Sequence, residues 1–230
     1  MLQENQKPEE KLQRYGVSYL PERYLEHLYP SEDAYYPFSY EGVTSHIQFS
    51  ETEITPSLQS VESWMPEWMT QISAFPIYFC VVLPAYSEAE FKIKFDELRA
   101  TYQLSKGRRS SIFVVKALDE ELFRRLLPII LSIGSNNDIA LWSTRTHAFQ
   151  VVEKELIYRK PKRKKKLTIE TKATDYEMKV VLEPNTSVFW VGHDADNLHL
   201  LSSDPHMATY DRLCSTLPAT VLTTLEGLSD

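Results

Sequence analysis

An α/β or α+β fold with a central mixed β-sheet follows from three observations on this 230-residue, 43% hydrophobic chain. Continuous apolar runs rich in β-branched and aromatic residues alternate with amphipathic segments through the middle of the chain. Shorter segments with period-two alternation follow, and helical spacing returns near the end. Together they predict a strand-helix-strand-helix-strand core, then antiparallel strands, then a C-terminal helix.

Residues 1–75 read as a tyrosine- and proline-rich N-terminal attachment. Tyr15, Tyr19, Tyr24, Tyr29, Tyr35, Tyr36 and Tyr40 place seven of the thirteen tyrosines there. A short helix over 21–28 fits the spacing of Tyr24, Leu25 and Leu28, with extended, proline-broken chain around it. Aromatic residues bury more often than they stay exposed, so the segment is expected to pack onto the main body. A tyrosine-rich recognition surface is the functional alternative. Trp64 and Trp68, four apart, are placed to close the segment onto a core, with an exposed anchor pair as the alternative.

The main α/β domain spans 76–230. Residues 77–83 (IYFCVVL) run apolar up to Pro84 and read as a buried strand. Ser87 to Glu90 matches a capping box, and Phe91, Phe95, Leu98 and Tyr102 follow at helical spacing, predicting a helix that ends near 104–107. A second strand is expected over 112–115. Asp119 then caps a helix over 120–133, with Glu120 and Glu121 in its first turn and Pro128 kinking or dividing it. After a polar turn at 134–138, residues 139–142 give a third strand. If these strands are parallel, right-handed crossovers join them.

Beyond residue 148 the pattern becomes antiparallel and one-sided. Strand-like segments fall at 149–153, 155–158, 167–170, 178–182, 187–191 and 198–201, the last two paired across the turn 192–197. From 207 to 228, Tyr210, Leu213, Leu217, Val221, Leu225 and Leu228 keep helical spacings, interrupted by Pro218.

The strongest functional signal is electrostatic. Seven of the eight residues of 159–166 (RKPKRKKK) are basic: Arg159, Lys160, Lys162, Arg163, Lys164, Lys165 and Lys166. The rest of the chain holds 18 Lys and Arg against 32 Asp and Glu, a balance of −14, to which the run adds +7. Such like charge must face solvent or an anion. Strand-like flanks and Pro161 place the run at a hairpin tip or inter-strand loop. An anionic partner, a nuclear-import address and an inert solvated loop all fit it. Arg108 and Arg109, before the second strand, would support an anion site if they share a face with the run.

Other chemistry finds little support. Cys80 and Cys214 lie in apolar surroundings with no disulfide or zinc spacing, as in a reducing compartment. No nucleophile elbow, phosphate-cradling glycine loop or cofactor motif occurs, so no cofactor is expected. His193, Asp194, Asp196, His199, Asp204 and His206 cluster in fourteen residues. Their turn-like spacing argues for satisfied polar groups over a metal or acid/base site. No apolar stretch is long enough to span a bilayer, and no signal peptide is read. The expectation is a non-enzymatic interaction or regulatory protein, cytoplasmic or nuclear, with a protein partner. Nucleic acid bound through 159–166 is the alternative, followed by an anionic membrane surface and a metal enzyme using the 193–206 cluster.

Overall fold

The computed structural model describes residues 13–19, 38–51, 61–161, 168–192 and 197–225. It is a mixed α/β architecture with a large, mostly antiparallel sheet and four helices among the described residues. The strands are β1 (Gln13–Tyr19), β2 (Ser39–Glu41), β3 (Ser45–Glu51), β4 (Ile77–Pro84), β5 (Thr101–Lys106), β6 (Ser110–Ala117), β7 (Ile139–Ser143), β8 (Phe149–Pro161), β9 (Thr168–Val181), β10 (Ser187–Val191), β11 (Asn197–Ser202) and β12 (Val221–Leu225). The helices are α1 (Val61–Gln71), α2 (Glu88–Glu97), α3 (Glu120–Ser135) and α4 (Tyr210–Cys214). Nine strands form one sheet in the order β12-β1-β3-β11-β10-β7-β4-β6-β5, and β2-β9-β8 form a second. In the large sheet only the β1–β12 pairing is parallel.

Side-chain alternation gives the large sheet two covered faces. Ile47, Phe49, Phe79, Val81, Phe113, Trp142 and Phe189 meet α1 and α3 through Trp64, Trp68, Phe123, Leu126 and Ile130. Cys80, Ile112, Leu141, Val188, Trp190 and Leu201 meet the second sheet through Phe149, Met178, Val180 and Leu182. This double burial is why β4 and β7 are apolar without alternation. Trp68 centres the helix side, with ring centroids 5.6 Å from Trp64, 6.1 Å from Phe49 and 5.4 Å from Phe189. Trp142 stacks on Phe189 at 5.2 Å and 11°. At Gly134 of α3 a Cβ would lie 2.3 Å from Val191 Cγ1, so the helix approaches β10 only because that residue has no side chain.

Several sequence expectations hold. Asp119 Oδ1 accepts from Leu122 N at 2.9 Å and caps α3, which runs through Pro128 undivided. β10 pairs with β11 antiparallel as expected.

Others are corrected. The expected helix through Tyr102 stops at Glu97, and 101–106 is β5, paired antiparallel with β6. Arg99, at φ 55°, ends the helix in a left-handed turn: Ala100 N donates to Phe95 O and Arg99 N to Asp96 O. The capping box is not made either. Ser87 lies in a short 3₁₀ turn without a side-chain cap, and Glu90 instead pairs with Lys94 at 2.6 Å. The extra strand reverses the chain, so β4 is antiparallel to both β6 and β7 and separates them. β6 and β7, joined by α3, therefore run parallel without touching. The C-terminal helix is only the five residues of α4, and Val221 and Leu225 belong to β12, not to a continuing helix. The short helix expected at 21–28 lies outside the described residues. Among the described residues no helix is long and apolar enough to cross a membrane.

Candidate functional site

The basic run is approached by the longest strand pair among the described residues. β8 and β9 pair antiparallel from Phe149↔Val180 to Pro161↔Thr168, with Arg159 opposite Glu170 and Lys160 opposite Ile169. The backbone of Arg159, Lys160 and Pro161 thus belongs to the end of β8. Lys162, Arg163, Lys164, Lys165 and Lys166 lie outside the described residues, on the chain that connects the two strands.

The inner part of this hairpin is anchored in the core by Phe149, Met178 and Val180. Farther out, none of the described side chains joins the core. Val152 and Ile157 are 50% and 55% exposed, and Glu153, Lys154, Glu155, Thr171, Lys172 and Thr174 are exposed as well. Exposed ion pairs cross it, Lys154–Glu177 at 3.2 Å and Lys172–Glu155 at 2.6 Å. Each such pair adds at most about 1 kcal/mol.

Arg108 and Arg109 lie where this hairpin leaves the large sheet. Their turn between β5 and β6 docks on β9: Arg108 N donates to Thr174 O at 3.1 Å, and the Asp175 carboxylate accepts from Arg109 N, Ser110 N and Ser110 Oγ at 3.4, 3.4 and 3.3 Å. A Cβ on Gly107 would fall 2.1 Å from Asp175 Oδ1, so glycine lets the carboxylate in. The anion at this turn is the protein's own aspartate. Asp175 stands seven positions along β9 from Thr168, about 23 Å at about 3.3 Å per residue, which separates the arginine turn from the outer end of the hairpin.

Of the histidine and aspartate cluster, His199, Asp204 and His206 are among the described residues. His193, Asp194 and Asp196 lie outside the described residues. His199 is buried on β11 on the second-sheet side, stacked on Trp190 at 4.5 Å. Asp204 and His206 follow β11 and line a cavity on the helix side, so His199 and His206 do not face each other. Among the described residues no three His, Cys, Asp or Glu side chains are grouped as metal ligands.

Two features escaped the sequence reading. The first is a buried pair of imidazoles, His46 Nε2 and His199 Nδ1 at 2.9 Å, with His46 Nδ1 lacking a partner among the described residues. One ring donates to the other, in a direction set by the tautomer. Burial pushes His46 down to about 3, helped by the neighbouring His199, and burial pushes His199 down to about 4. Both rings are neutral at pH 7. The alternation of residues 45–50 (SHIQFS) puts His46, Gln48 and Ser50 on one face but does not say that His199 meets it.

The second is the cavity itself, about 480 Å³, at the end of β7 and β10. Met69, Ile72, Phe75, Phe189 and Met207 form its apolar wall. Arg145, Asp204 and His206 bring charge and polarity to it. Nothing in the local sequence marks it, because its wall comes from segments more than a hundred residues apart. The chain matches no family model, no curated protein and no solved structure.

Proposed function

We propose that this chain is a non-enzymatic interaction protein that engages an acidic face of a protein partner through the basic end of the β8–β9 hairpin. The observation that supports this reading is the strand register, in which β8 and β9 pair up to Pro161↔Thr168 on either side of the basic run. A hairpin whose outer part has no core of its own can carry charge to a partner without disturbing the fold. The rest of the chain has a balance of −14, which disfavours a long phosphate backbone along the body and favours a compact acidic patch met by the tip alone. The arginine turn, about 23 Å from Thr168, does not extend the tip into a basic track.

The experiment replaces Lys162, Arg163, Lys164, Lys165 and Lys166 together with Ser or Gln and compares both proteins on immobilised polyglutamate, duplex DNA and single-stranded RNA over a salt gradient. Salt-sensitive retention on polyglutamate is expected for the native chain and absent from the variant, with melting temperature nearly unchanged. Retention that survives the substitution sinks the reading. Stronger retention on nucleic acid, lost in the variant, moves the function to nucleic-acid binding by the same residues.

A further inference from the structure

We propose that the cavity at the end of β7 and β10 binds a small amphipathic carboxylate, its apolar body against the methionine and phenylalanine wall and its carboxylate on Arg145. The volume, about 480 Å³, falls within the range of small-molecule sites. Ile72, Phe75 and Pro76, partly exposed, present the apolar surface of the cavity, with Met69, Phe189 and Met207 buried behind it. Two thioethers let the wall adapt to a flexible or aromatic body.

The polar lining selects the head group. The Ser187 hydroxyl is engaged with Ser202 Oγ at 2.7 Å. Thr216 Oγ1 accepts from Trp68 Nε1 at 3.0 Å and donates to Leu213 O at 2.7 Å. Asp204 Oδ1 accepts from His206 N at 2.9 Å and caps the turn 205–207. These groups are committed within the fold. The guanidinium of Arg145 and the imidazole of His206 have no partner among the described residues. Arg145 presents a planar fork that matches a carboxylate in two parallel hydrogen bonds. Asp204 on the same lining repels a doubly charged head group, so a monoanion fits better than a phosphate.

Trp68 supplies the readout, because its indole N–H is held by Thr216 of the cavity lining. Decanoate is titrated into the full chain below its micellar range, followed by tryptophan fluorescence and calorimetry, with decanol and acetate in parallel. Saturable one-to-one binding of decanoate and a raised melting temperature are expected, with decanol weaker and acetate silent. Arg145→Gln should weaken decanoate about tenfold while leaving decanol unchanged. Ile72→Trp, which fills the cavity, should abolish both. Absence of saturable binding by the folded native chain overturns the proposal. So does an Arg145→Gln protein that binds decanoate as tightly as the native one.

Discussion

The large sheet around Trp68 and the outer β8–β9 hairpin are both β-structure, yet they are held by different forces. Around Trp68, two indoles and two phenyl rings interlock between α1 and the sheet with no exposed surface to lose. Beyond Asp175, the described contacts are the strand pairing, the exposed Lys172–Glu155 pair and the bond from Arg108 N to Thr174 O, with the exposed Lys154–Glu177 pair just inside it. A two-stranded ribbon without a buried face is marginal in water. The contrast teaches that stability and interaction surface are separated along the chain. The first region fixes the fold, and the second is free to carry charge.

The sharpest way to break this contrast is to remove its centre. Trp68→Ala should cost about 3–5 kcal/mol, because the hole cannot be filled by rings already in stacked or edge contacts. Denaturant unfolding measures it, and a loss no larger than that of a surface mutation would deny Trp68 its central place.

A smaller effect is expected at the buried imidazoles. Both titrate well below their ordinary 6.5 in the folded chain, so their contribution is complete above pH 6.5 and is lost as pH falls towards 4 and 3. The groups facing them from β10 and β11, Trp190 and Leu201, carry no charge, and Gln48 is neutral. Stability should drop by about 2 kcal/mol for each ring by about pH 5. His46→Gln should flatten that slope, and an equally steep slope in the variant would locate the acid sensitivity elsewhere.

The smallest effect belongs to the joint between the regions. Each hydrogen bond to Asp175 is long, so Asp175→Ala should lower global stability by only about 1 kcal/mol. Amide exchange in the outer β8–β9 pairing should nevertheless quicken severalfold while that around Trp68 stays unchanged. Uniform acceleration would show that the hairpin and the core open together.

The sequence disclosed the elements whose burial is local in pattern. β4, β6 and β7 were legible because both faces are covered and the runs stay apolar, and α3 was legible because Asp119 announces it. β5 was hidden because Phe91, Phe95, Leu98 and Tyr102 keep one helical phase across a turn made by Arg99, a position where glycine would have signalled the stop. β12 was hidden in the same way by Leu213, Leu217 and Val221. The strand-like flanks of the basic run were legible, since Pro161 and the apolar triplets bound it. The imidazole pair and the cavity were not, because each joins residues far apart in the chain, a relation no local periodicity encodes.

The parallel pairing of β1 with β12 sets a condition on how the polypeptide is made. Gln13 meets Val221 and Val17 meets Leu225, so as the chain leaves the ribosome, β1 has only β3 as an early partner among the described strands. Its other edge stays open until about two hundred further residues have been synthesised. An unpaired edge is a template for other nascent strands, and contacts this distant in sequence form slowly. Among the described strands β12 therefore covers this edge of β1 and takes over as the edge of the sheet, and a chain cut before Val221 would leave β1 without that neighbour.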